Sequence, residues 1–124
     1  MISIAALVSA EGKGVFVVAL VNGAVRLFGA DMGVLLAEIG AHSRQINGLA
    51  SHPARNVFAT CGDDTFMNLW QVKYDGVNVN VDALSSTRVP DFFLTGVCFA
   101  GQNHSAVVCS AYDYKQLIVW EAAL

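Results

Sequence analysis

The chain has 124 residues, 55% of them hydrophobic and only 14% charged, with a net charge of -3. That is one domain's length, enough to bury most of the surface an unfolded chain would expose. With no basic field to neutralise phosphates, nucleic acid and anionic membrane are disfavoured as partners.

The hydrophobic share exceeds the roughly 45–50% of an average soluble domain, so part of the excess is expected to face a partner surface. The three cysteines, Cys61, Cys98 and Cys109, lie in apolar runs without C-x-x-C spacing. An odd number in that setting argues against a secreted disulfide framework and for a reducing, cytoplasmic location, with the thiols buried and inert. The most apolar segment, residues 15–36, is cut by Asn22, Gly23, Arg26 and Asp31. It reads as neither a signal peptide nor a membrane span.

In chain order, residues 2–9 read as a first strand, ended by Glu11-Gly12-Lys13-Gly14. Residues 15–28 follow as strand, Asn22-Gly23 turn and strand. After Asp31-Met32-Gly33, residues 34–39 read as a fourth strand. A second set opens at Ala41-His42 with an inner strand through Ile46 and Leu49, and turns at His52-Pro53-Ala54-Arg55-Asn56. It crosses Asp63-Asp64 between two further strands and ends, after Asp75-Gly76, with residues 77–84. A third set places the turn Ala100-Gly101-Gln102-Asn103 before two strands in residues 106–120. Turn residues at about ten-residue intervals, with Val, Phe, Thr, Tyr and Trp crowding between them, predict an all-β protein of many short strands. No heptad or helical period competes.

The sets repeat one another. Ala24-Val25-Arg26-Leu27-Phe28, Phe66-Met67-Asn68-Leu69-Trp70 and Gln116-Leu117-Ile118-Val119-Trp120 each close a strand, turn and strand on an aromatic. Phe28, Trp70 and Trp120 are spaced 42 and 50 residues apart. Those spacings lie close to the ~40–45-residue period of a four-stranded propeller blade. A longer connection over residues 73–90 accounts for the wider gap.

The middle set, AHSRQINGLASHPARNVFATCGDDTFMNLWQV over residues 41–72, resembles a complete repeat of the WD-repeat β-propeller family. Ala41-His42 stands for the Gly-His opening, Asp64 for the turn aspartate six residues before the Trp, and Trp70-Gln71 for the closing Trp-Asp. The resemblance implies a hydrogen-bonded structural tetrad of His42, Thr60, Asp64 and Trp70. Such a network satisfies buried polar groups against one another, so its role is structural and not catalytic. The flanking repeats depart from the pattern. Phe28-Gly29 and Trp120-Glu121 replace the Trp-Asp pair, Asn22 takes the place of the turn aspartate, Asp113 falls one position early, and neither has the opening His. The family fold implied is all-β, with propeller blades of four-stranded antiparallel sheets. About three blades are expected, over residues 1–40, 41–84 and 85–124, the last lacking its outer strand. Because a ring usually needs ~4–8 blades, the ring is expected to be incomplete.

Catalytic, metal and cofactor sites are all read as absent. His42, His52 and His104 with the three cysteines offer no zinc-ligand spacing. Asp63-Asp64 fits a repeat turn better than a pair of catalytic carboxylates. Asn22-Gly23 and Asn47-Gly48 lack any phosphate-loop pattern and read as turn and close-packing positions. The implied function is a non-enzymatic scaffold that presents loops to other proteins or peptides. Arg44, Asp63, Phe92, Phe93, Tyr112 and Tyr114 are the candidate contact residues, since Arg and aromatic side chains dominate interface hot spots. A competing reading has Phe92 and Phe93 plugging the joint between blades two and three. Two wider alternatives remain. One is an enzyme or metal-binding β-protein, which would need a clustered nucleophile, base and orienting group. The other is a fragment assembled by strand and blade completion with missing blades or a second copy of the chain.

Overall fold

The computed structural model describes residues 3–8 and 13–122. Ile2, Ser9 and the Glu11-Gly12 turn lie outside the described residues. Three antiparallel sheets account for all the strands described. The first sheet comprises β1 (Ser3–Val8), β2 (Gly14–Ala19), β3 (Ala24–Gly29) and β4 (Leu35–Gly40). The second comprises β5 (Ile46–Ser51), β6 (Val57–Gly62), β7 (Phe66–Tyr74) and β8 (Val79–Arg88). The third comprises β9 (Leu94–Ala100), β10 (Ala106–Ala111) and β11 (Ile118–Glu121). Each sheet is a meander whose strands pair in chain order. A single 3-10 turn at Gln102–His104 is the only helical element among the described residues.

β5 lies against β1 on one side and β9 on the other, so the first strands of the three sheets stand side by side. That is how successive blades of a β-propeller pack around a common axis. Two cores fill the joints. Leu7, Val15, Val17, Val25 and Leu27 of the first sheet meet Ile46, Phe58 and Val72 of the second. Ala59, Cys61, Met67 and Leu69 of the second meet Leu94, Val107 and Cys109 of the third. Period-two alternation decides which side chain goes where: Phe58 points into the first core, and its neighbour Ala59 into the second. Among the described residues only the middle sheet has a neighbour on both faces, and every residue of β6 is buried. In β2 and β10 burial alternates along the strand instead.

The second sheet extends further than the sequence suggested. The boundary expected after residue 84 falls inside β8, whose ladder with β7 continues through Leu69↔Ser85, Asn68↔Ser86, Met67↔Thr87 and Phe66↔Arg88. Residues 85–88 therefore belong to the second sheet and not the third. Their polar sequence hides this end of the strand because the apolar alternation of Val79, Val81 and Ala83 stops before it, while backbone pairing to a well-buried partner suffices to hold it.

Glycine is required at two positions that shape the joints. Gly23 has φ +92, and a Cβ there would run into the His42 carbonyl. The β2–β3 turn thus lies directly on the entry to the second sheet, with the His42 N–H donating to the Gly23 carbonyl at 2.9 Å. At Gly48 a Cβ would stand 2.7 Å from Cys61 Sγ and 2.9 Å from the Val97 nitrogen. Only a residue with no side chain lets β9 approach β5 so closely.

Candidate functional site

Four polar side chains of the second sheet join in one chain of hydrogen bonds. The fully buried His42 ring places Nδ1 2.8 and 2.9 Å from the two Asp64 carboxylate oxygens. Its Nε2 is 2.7 Å from Thr60 Oγ1, and Trp70 Nε1–H donates to the same hydroxyl oxygen at 3.0 Å. One assignment of protons satisfies every atom. The indole can only donate, so the Thr60 oxygen accepts there and its own O–H donates to His42 Nε2; Nδ1–H then donates to Asp64. In this arrangement a single imidazole proton sits on Nδ1, and the carboxylate oxygens serve only as acceptors. Asp64 also accepts the Ser43 and Phe66 backbone N–H groups, each at 3.2 Å. The turn between β6 and β7 is thereby tied to the segment entering β5. Trp70 further stacks on Phe58, with centroids 6.3 Å apart and ring planes at 21°.

The loop candidates divide between two places. Phe92 and Tyr114 meet, their centroids 4.7 Å apart, and the Tyr112 N–H donates to the Phe93 carbonyl at 2.8 Å. This backbone bond sets the β8–β9 and β10–β11 connections side by side. Asp63 reaches the same joint through Asn47, whose amide donates to Asp63 Oδ1 at 2.6 Å and to the Leu94 carbonyl at 2.9 Å. Arg44, exposed on the segment entering β5, is not joined to this group by any of these bonds; its backbone carbonyl faces Gly23 at the opposite joint.

Residues 6–122, nearly the whole chain, match the family model described as WDR54. The chain belongs to the WDR54 family. No curated protein matches it. Among solved structures it is similar to the β-propeller domain of Cps50 (Swd1) from Myceliophteria thermophila, with a TM-score of 0.79 at 14% identity. That match covers 94% of this chain but only 36% of the other. The likeness at so low an identity establishes the fold, a WD-repeat propeller of which this chain spans part.

Asn47 is the residue of this WDR54-family chain whose bridging role sequence reasoning missed. It sits at an irregularity in the β5–β6 ladder between Ile46 and Gly48, where it escapes the strand alternation and faces the third sheet. The available signal was an Asn-Gly pair interrupting an inner strand, which marks a bulge as readily as a turn. His52 is a second bridge. Its Nδ1 accepts the Ala54 N–H at 3.0 Å, so Nε2 carries the proton and donates to the His104 carbonyl at 3.1 Å. Both ring nitrogens are committed, and no cluster of three or more His, Cys, Asp or Glu able to hold a metal occurs among the described residues.

The cysteines are not alike, contrary to the expectation that all three are buried. Cys61 and Cys109 lie in the second core, whereas Cys98 is exposed. Val108 pairs with Cys98 on one side and Val119 on the other. This row occupies the outward face of the third sheet, opposite to the one that Val107 and Cys109 bury. A hydrogen bond with Cys109 and burial together push the Cys61 thiol pKa far above its ordinary range.

Proposed function

We propose that this chain is a non-enzymatic, cytoplasmic interaction scaffold whose loops at the joint between the second and third sheets bind other proteins or peptides. The observation that carries the reading is the aromatic group there. Phe92 packs against the second core and props Tyr114, while Phe93 and Tyr112 are left 51% and 71% exposed. Phe92 thus serves as a plug and Phe93 as a projecting contact. Large rings held on anchored loops bring contact area at low entropic cost, and clustered exposed apolar surface marks interaction sites. Asp63 would add a polar contact at the rim, and Arg44, exposed at the opposite joint, would add one only to a partner that spans both joints. Affinity capture with the parent chain and with Phe93→Ala and Arg44→Ala, each checked for folding by circular dichroism, tests the proposal. Loss of the captured partner on Phe93→Ala with an unchanged spectrum supports it; equal recovery from all three chains overturns it.

A second reading, assembly by strand and blade completion, draws on a different feature. A groove of about 250 Å³ runs between β8 and β11, with Met67, Leu84, Val107 and Trp120 among its walls. Among the described residues β11 of the three-stranded third sheet pairs with β10 alone, an arrangement that strand addition by a second copy or by further blades would extend. Sedimentation of the purified chain decides this reading. A concentration-dependent shift above 13.2 kDa supports it, and a stable compact monomer overturns it.

A further inference from the structure

A cleft of about 390 Å³ opens at the joint between the first and second sheets, away from the aromatic loops, with Ser43, Asp64, Phe66, Asn68 and Ser86 in its walls. Asn68 lies directly between Thr60 on β6 and Ser86 on β8, on the face of β7 turned to the first sheet. Its amide nitrogen donates to the Ala41 carbonyl at 3.0 Å, which settles the orientation of the side chain. The Oδ1 atom is buried and has no hydrogen-bond donor among the described residues, in a side chain only 7% exposed. Buried polar atoms are rarely left this way, and each instance points to a missing partner.

We infer that this cleft is a receptor for a guanidinium group, an arginine side chain presented by a partner protein. The polar atoms on offer select it. Asn68 Oδ1 and the Asp64 carboxylate can only accept, and the Ser43 and Ser86 hydroxyls can accept as well as donate. The proton arrangement through Thr60 puts the His42 proton on Nδ1, so Asp64 acts as an acceptor there as well. Among the described residues no Lys or Arg lines the walls. Guanidinium carries five N–H donors in a rigid planar fork and no acceptor, which suits a cleft lined by several acceptors and disfavours phosphate or carboxylate ligands. The half-buried Phe66 ring in the wall supplies a surface on which that plane can stack. An internal competitor is Arg88, exposed and opposite Phe66 one row further along the same face.

The test is a titration of the 15N-labelled 124-residue chain with three capped tripeptides, Gly-Arg-Gly, Gly-Lys-Gly and the uncharged isostere Gly-citrulline-Gly. The expected result is movement of the Asn68 side-chain amide with the arginine peptide, at an affinity about tenfold or more above the citrulline peptide. The lysine peptide should fall between the two. Asn68→Leu should weaken arginine binding by a similar factor while the chain stays folded. Should that variant misfold, Ser86→Ala, at an exposed position, should still weaken binding several-fold, as a lost hydrogen bond would. Arg88→Ala should leave the affinity equal or higher. The inference is overturned by equal binding of arginine and citrulline peptides, by no movement at Asn68 in the parent and Arg88→Ala chains, or by arginine binding untouched by both cleft variants. Phe93→Ala should not alter this binding, which separates the cleft from the aromatic loops.

Discussion

The hairpins that close the three sheets solve one problem in three ways. Residues 62–66 connect Cys61 to Met67 in the second sheet, and residues 20–24 connect Ala19 to Val25 in the first. In both, a side-chain oxygen accepts the backbone N–H two residues on: Asp64 from Phe66 at 3.2 Å, Asn22 from Ala24 at 3.0 Å. Beyond that shared turn the two diverge, because Asp64 continues into His42, Thr60 and Trp70, while Asn22 serves its own exposed turn. The third hairpin needs residues 110–117 to connect Cys109 to Ile118, and its Asp113 sits at φ +55. Its longer loop is held by the Phe92–Tyr114 contact and the Tyr112–Phe93 backbone bond in place of a buried polar chain. The middle sheet, covered on both faces, can shelter an uninterrupted hydrogen-bond chain. The third, covered on one, leaves aromatic rings in solvent.

That contrast breaks most sharply at Asp64. Removing the carboxylate deprives the buried His42 Nδ1–H of its acceptor and two backbone N–H groups of theirs, so Asp64→Ala is expected to cost about 3 kcal/mol or more. Asn22→Ala removes one exposed turn bond and is expected to cost about 0.5–1 kcal/mol. Urea unfolding of the two variants measures both. Equal losses would mean that the hydrogen-bond chain adds nothing beyond the turn. Thr60→Val follows in size, at about 1–3 kcal/mol, because it strands both the Trp70 N–H and His42 Nε2 in a buried place. A loss near zero would reject the proton arrangement in which that hydroxyl both donates and accepts.

An effect of similar size to that of Thr60→Val probes the joint that the third sheet depends on. Gly48→Ala would push a methyl group into Cys61 Sγ and the β9 backbone, an overpacking expected to cost about 1–3 kcal/mol. Gly40→Ala, at the end of β4 where nothing lies within 4 Å, is expected to be neutral within about 0.5 kcal/mol. Thermal unfolding of the two side by side shows whether close backbone approach, and not glycine as such, sets the joint.

How far the sequence discloses all this depends on what kind of signal each residue leaves. His42, Asp64 and Trp70 keep fixed spacing within one repeat, so their meeting could be expected from the resemblance, and the strand meander from turn residues at short intervals. Residues 85–88 left no such mark, because Ser85, Ser86 and Thr87 pair through backbone atoms that every sequence shares. Asn47, Asn68 and Ser86 were invisible for a related reason. What they do is set by segments far away in the chain: Asn47 reaches Leu94 of the third sheet, and Asn68 reaches Ala41 on the connection between the first and second sheets. A contact between blades follows from the angle at which the sheets meet, and period-two alternation within a strand does not encode it.

Cysteine chemistry gives the gentlest test of the difference between the covered and uncovered faces, since it need not perturb the fold. Cys98 shows its thiol to solvent, while Cys61 is buried with its pKa raised by Cys109 and by desolvation. In native protein a thiol reagent should modify Cys98 alone, and unfolding in urea should release the other two. The raised pKa has a further consequence with a definite sign. The folded chain holds the Cys61 proton more tightly than the unfolded chain does, so the stabilisation is complete below the ordinary thiol value of 9.0 and is lost as pH rises past it. Unfolding midpoints should therefore fall on the alkaline side, and Cys61→Ala should flatten that part of the profile. Rapid native labelling of Cys61 at neutral pH would instead show that the joint between the second and third sheets opens readily, and that the middle sheet is no better covered than its neighbours.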